Sequence, residues 1–162
     1  PKLKQGTVRP TTDRARTVLF DTLRDVRDLD VLDLYSGTGA LGFEALSRGA
    51  KSLVSVDHDH NYIQEQKNWM LKHEKPFLAH IGDVKTVLNR LDTNYDLILA
   101  DPPYDEVLSA AIIELIEDCA RSGSIFVYER NKRSESIINS KLFELVKEKV
   151  IADTRIQIYK AE

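Results

Sequence analysis

Apolar residues recur in this chain in two rhythms, and each rhythm predicts its own kind of element. Ala15, Val18, Leu19, Leu23 and Val26 are spaced three and four apart after Pro10 and Thr11-Thr12, which predicts an N-terminal helix with one buried stripe. Short apolar runs near 30–35, 52–57, 77–81, 95–101 and 124–129 then read as strands, separated by helical segments. The end differs: 142–150 and 154–160 alternate, with a turn near Ala152-Asp153, and predict an antiparallel hairpin. Five strand–helix units and a hairpin describe one α/β domain with a mostly parallel, seven-stranded sheet. In that layout the first and fourth strands are neighbours where the strand order reverses, so whatever follows each of them opens onto one crevice.

Polar residues at the strand ends supply the candidate chemistry. After the first strand comes Asp33-Leu34-Tyr35-Ser36-Gly37-Thr38-Gly39, with helical periodicity from Thr38 to Leu46. Gly37 and Gly39 permit positive φ and close backbone approach to a ligand, with Ser36 beside them, but the glycines alone would also suit NAD. Asp33 decides between the two. A carboxylate is disfavoured beside a pyrophosphate, whereas S-adenosylmethionine carries an ammonium and a cationic sulfonium that attract one, directly or through water. Asp57 ends the second strand, some twenty residues on, and is placed to accept from both ribose hydroxyls. Asp59 reads as the cap of a helix over about 61–72. At the end of the third strand, Asp83 is placed to accept from the adenine amine with Val84 walling the ring. Asp83 also reads as the N-cap of a short helix through Leu91, and the two roles are compatible.

The fourth strand ends in Asp101-Pro102-Pro103-Tyr104. Alone, this reads equally as a strand-ending turn. Beside a cofactor site it reads as a grip on a planar amine. Prolines fix φ and donate no N–H, so Asp101 and the Pro102 carbonyl can accept both amine hydrogens while Tyr104 stacks on the ring.

Composition narrows the class without deciding it. A chain of 162 residues, 42% hydrophobic and 30% charged, suits one soluble core rather than two full domains. The one cysteine, Cys119, excludes an internal disulfide framework and reads as a small core filler on a helix. No membrane-length apolar run or signal-type segment is present, so a cytoplasmic protein is expected. His58, His60, His73 and His80 lack partners at ligand spacing, so no metal is expected. The net charge is −3, yet Lys2, Lys4, Arg9, Arg14 and Arg16 stand against only Asp13 before residue 20, with Lys132 and Arg133 beyond the fifth strand. These form a candidate phosphate-binding patch; a solvated helix start with ion pairs is the plainer reading of Arg14 and Arg16.

Arg9-Pro10-Thr11-Thr12-Asp13-Arg14-Ala15-Arg16, the Asp33–Ala50 segment, Asp57-x-Asp59 and Asp101–Tyr104 together resemble the RsmD-type methyltransferases, in order over nearly the whole chain. The resemblance implies a Rossmann-like class I fold and S-adenosylmethionine contacts at Asp33, Gly37, Gly39 and Asp57. It also implies target-amine contacts at Asp101 and Tyr104, and methylation of a guanine N2 amine in 16S ribosomal RNA. Three departures stand out. The family's short basic strand pair would be reduced here to Pro1–Lys4, Thr17 follows Arg16 where an acid is common, and the net charge is acidic for an RNA enzyme. The weakly basic surface suggests RNA preshaped by ribosomal protein, in an assembling 30S particle, with the enzyme a monomer. DNA adenine or cytosine amine methyltransferases and protein glutamine methyltransferases would use the same grip, though more often with Asn where Asp101 stands. A non-catalytic cofactor-fold binding module is the reading from another class, against which Asp101 and Tyr104 argue.

Overall fold

A computed structural model describes residues 12–103 and 106–162 of the chain. Arg9 and Tyr104, both singled out above, lie outside the described residues. The helices are α1 (Asp13–Leu23), α2 (Ala40–Ser47), α3 (His60–Met70), α4 (Val84–Leu88) and α5 (Ala110–Asp118). The strands are β1 (Asp30–Leu34), β2 (Ser52–Asp57), β3 (Phe77–Ile81), β4 (Tyr95–Ala100), β5 (Ala120–Asn131), β6 (Phe143–Ile151) and β7 (Thr154–Ala161).

All seven strands join one sheet in the order β3-β2-β1-β4-β5-β7-β6. The five strands β1–β5 pair in parallel, and β7 inserts antiparallel between β5 and β6. This is the fold class expected from the hydrophobic pattern, with the reversal of strand order between β1 and β4. One expectation needs correcting: among the described residues, 132–142 between β5 and β6 holds turns and bends but no helix. That segment has few apolar residues, and Ile138 and Leu142 pack directly on the core without an intervening amphipathic turn of helix.

The sheet is covered on both faces. Val31, Leu97, Leu99 and Val127 look toward α1 and α2, where Ala15, Leu19, Phe20, Leu41, Ala45 and Leu46 pack. Leu32, Leu34, Ile98, Phe126 and Tyr128 look toward α4 and α5, meeting Val84, Val87, Ile113 and Ile116. Caps set where the helices begin. Thr12 accepts from Ala15 N, Asp59 from Asn61 N and Tyr62 N, Asp83 from Thr86 N, and Ser109 from Ile112 N. Cys119 is buried at the C-cap of α5, just past the helix on which it was expected. No helix among the described residues is long and apolar enough to cross a membrane.

Candidate active site

Every strand from β1 to β5 runs the same way, so their C-terminal ends meet along one rim. Four of these ends carry a buried or half-buried carboxylate: Asp33, Asp57, Asp101 and Glu129. The glycine loop closes over them. Gly39 caps α2 in the left-handed region at φ 87, which a side chain would strain, and Tyr35 also has positive φ, at 56.

Two side chains hold this loop from below and beside it. Asp57 Oδ2 accepts from Gly37 N (2.9 Å) and Asp57 Oδ1 from Asp59 N (2.8 Å), tying the end of β2 to the loop after β1. Each oxygen keeps one lone pair for a further donor. Gln66, fully buried on α3, donates through Nε2 to Ser36 Oγ (2.9 Å) and to the Gly37 carbonyl (2.7 Å). Sequence reading missed Gln66, because a glutamine on an amphipathic helix shows no sign of where its amide ends.

Asp33 has turned inward. It is 1% exposed and accepts from Gly42 N (3.1 Å) in the first turn of α2. Burial, reinforced by the negative charges of Asp101 and Asp57, pushes its carboxyl up to about 8 despite the Gly42 bond. A cation beside it would reverse that balance. The glycine that makes room for this contact is Gly42, where an added Cβ would stand 2.7 Å from a Leu53 methyl and 3.0 Å from Asp33 Oδ2.

A cavity of about 370 Å³ opens above the rim between the ends of β2, β3 and β4. Its walls include Asp57, Asp83, Val84, Asp101 and Pro102 of the predicted residues, together with Tyr35, Tyr62 and Glu106, which sequence reading did not single out. Asp33, Ser36, Gly37 and Gly39 do not line it; Asp33 is in β1 and the other three are in the loop that follows. Asp83 caps α4 while lining the cavity.

Pro102 and Pro103 also wall a second cavity, of about 300 Å³, with Tyr128, Glu129, Arg130, Asn131, Arg133 and Ser134. The prolines therefore stand between two adjoining spaces. On the second side, the Arg130 guanidinium lies 4.7 Å from the Tyr128 ring centroid and bonds the Ser136 carbonyl, and Tyr128 OH accepts from Leu108 N (3.2 Å).

Of the predicted basic residues, Arg14 is exposed and forms no ion pair among the described residues. Arg16 pairs with Asp13 (2.9 Å) and approaches Glu44 (3.8 Å), and Lys132 pairs with Asp153 (3.3 Å). The plainer ion-pair reading thus fits Arg16 better than Arg14. Arg133 lies at the second cavity rather than on the face of α1. Among the described residues no cluster could hold a metal ion.

A Rossmann-like sheet with an antiparallel last strand pair, a glycine loop after β1 and an acid ending β2 defines the class of S-adenosylmethionine-dependent methyltransferases. Within that class the chain belongs to the family described as "Conserved hypothetical protein 95", the RsmD family, which it matches over residues 1–160. The Ribosomal RNA small subunit methyltransferase D of Escherichia coli strain K12 is 30% identical over 161 residues, spanning 96% of this chain and 80% of that protein. Its namesake in Haemophilus influenzae is 28% identical, over 98% of this chain and 86% of that protein. The solved yhhF structure of Escherichia coli superposes with a TM-score of 0.85 at 28% identity, covering 99% of this chain and 91% of that one. The ribosomal protein L11 methylase of Lactobacillus delbrueckii has the same fold at 15% identity, with a TM-score of 0.72 over 96% of this chain and 81% of that one.

Proposed function

We propose that this chain methylates the exocyclic N2 amine of a guanine in small-subunit ribosomal RNA, using S-adenosylmethionine. The observation that carries the reading is the position of Pro102 and Pro103, which wall both a cavity suited to the cofactor, lined also by Asp101, and a second space suited to a base. The names of the relatives support the substrate class.

The residues present fit the cofactor. A cavity of about 370 Å³ is within the usual range for small-ligand sites. Asp57, with an acceptor position left on each oxygen, would hold the ribose hydroxyls, and Asp83 and Val84, which line the same cavity, are assigned the adenine edge and face. Asp33 sits under the loop of Ser36, Gly37 and Gly39, and a cationic ammonium or sulfonium held above that loop would favour its ionised form. Bound there, the cofactor supplies an electrophilic methyl group on a positively charged sulfur.

The chain's own part is positioning. A guanine amine shares its lone pair with the ring, so Asp101 and the Pro102 carbonyl hold both N–H bonds and let the nitrogen pyramidalise toward the methyl group. As the nitrogen takes the methyl group that the sulfur gives up, it becomes cationic, so the Asp101 carboxylate stabilises the transition state more than the ground state, and one N–H proton is then shed to water. Tyr104 is assigned the stacking platform for the unstacked base, worth about 1–3 kcal/mol. Arg9, Arg14, Arg16, Lys132 and Arg133 are assigned to phosphates. The enzyme is read as a single-domain monomer acting on RNA within an assembling 30S particle.

Mass spectrometry of nucleosides from small-subunit RNA tests this. Cells lacking the protein should lose one N2-methylguanosine and regain it on complementation with the wild-type chain. Unchanged RNA, with methyl transfer by the purified protein to duplex DNA or to a glutamine peptide instead, overturns the reading.

A further inference from the structure

Carboxylates climb diagonally across the sheet at the site. Val31, Leu97, Leu99 and Val127 face α1 and α2, and strict alternation along β1 and β5 then places Asp33 and Glu129 on that same face. The parallel registers pair Asp33 with Leu99, and Ala100 with Tyr128. Asp101 is the first residue after β4, and Glu129 follows Tyr128 in β5, so the two come one residue past the last register pair of neighbouring parallel strands. Glu129 is 1% exposed and belongs to the wall of the second cavity, on the far side of Pro102 and Pro103 from the cofactor space.

The pairing has a chemical meaning for the base. On its Watson–Crick edge guanine presents two adjacent donors, the N1–H and the N2 amine. Adenine presents an amine beside an N1 acceptor. A carboxylate is acceptor-only, so it matches the first arrangement and opposes the second. If Asp101 holds the amine that receives the methyl group, the neighbouring ring donor points to the next acceptor along the rim.

We propose that Glu129 is a specificity-determining residue that accepts the N1–H of the target guanine, beside the Asp101 grip on its N2 amine. This rests on the guanine-amine reading given above. Glu129 selects the base and Asp101 supports the transfer, so the two carboxylates divide recognition from chemistry. Arg130, fixed over Tyr128 and bonded to Ser136, borders the same cavity and holds the end of β5 in place.

The test compares methyl transfer by the full chain to small-subunit particles reconstituted with RNA carrying either guanine or 2-aminopurine at the methylated position. The analogue keeps the N2 amine but has an acceptor at N1 and no O6. Wild-type protein should favour guanine strongly. Glu129→Gln, which retains shape and can donate to an N1 acceptor, should lose about 10–100-fold on guanine. It should lose far less on 2-aminopurine, with cofactor affinity unchanged. A purely structural role would lower both rates together and leave their ratio as in wild type, which overturns the proposal. Wild-type protein that methylates both bases equally also overturns it, whether or not the variant folds. Failure of wild-type protein to form N2-methylguanosine at all is a failure of the broader reading instead, and it removes this inference too.

Discussion

Asp33 shows how a single strand-end carboxylate couples burial to ligand charge. Its type and place were legible in the sequence; its inward turn onto Gly42 N was not, because that depends on how closely α2 approaches β2. With its carboxyl pushed up to about 8, the free protein keeps a proton on Asp33 at neutral pH that an unfolded chain would release near 3.8. The folded state then binds more protons across that window, so this group's contribution makes the free protein less stable as pH rises from about 4 to 8. A neighbouring cation favours the ionised form. S-adenosylmethionine affinity should accordingly rise between about pH 6 and 8, with proton release on binding. Calorimetric titration in buffers of different ionisation enthalpy reads both quantities, and Asp33→Asn should abolish the proton release. A pH-independent affinity with no release contradicts this account of Asp33.

At the scale of elements, hydrophobic rhythm revealed the strands because β1, β4 and the second half of β5 bury nearly continuous apolar runs, while the edge strand β6 keeps most of its residues exposed or half-buried. No helix stands between β5 and β6 among the described residues, because the few apolar residues of 132–142 have no helical periodicity. Helix contacts to the loops left no trace either. Gln66 pins the glycine loop through Ser36 and Gly37, and nothing in its spacing announces it. Close packing of α2 on β2 offers a sharp test. In Gly42→Ala the new methyl would meet Leu53, which is buried at 1% and has little room to move. The variant should lose about 1–3 kcal/mol of stability through overpacking. Its affinity for the cofactor should also weaken, because the Gly42–Asp33 bond shifts. Thermal unfolding and calorimetry check this; a variant as stable and as tight as wild type would show that the helix yields freely.

For the whole molecule, the acidic balance conceals a divided surface. The rim of carboxylates suits a cationic cofactor, while Arg14, without an ion pair among the described residues, stands apart on α1. Arg16 is already engaged by Asp13 and Glu44. Arg14→Ala should therefore reduce transfer to small-subunit particles more than Arg16→Ala does. It should also flatten the salt dependence by about 0.7–0.9 in log–log slope for each phosphate that the arginine neutralises. Equal effects of the two substitutions would instead favour a general structural role for α1. Asp101 lines the first cavity beside the prolines that wall both cavities, and the proposed transfer depends on it. Single-turnover methyl transfer to small-subunit particles, at saturating S-adenosylmethionine, tests it most directly. Asp101→Ala should slow the transfer step by about 100-fold or more while cofactor affinity barely changes, as expected for a group acting mainly in the transition state. Near wild-type transfer of methyl to the guanine amine by Asp101→Ala would contradict the account.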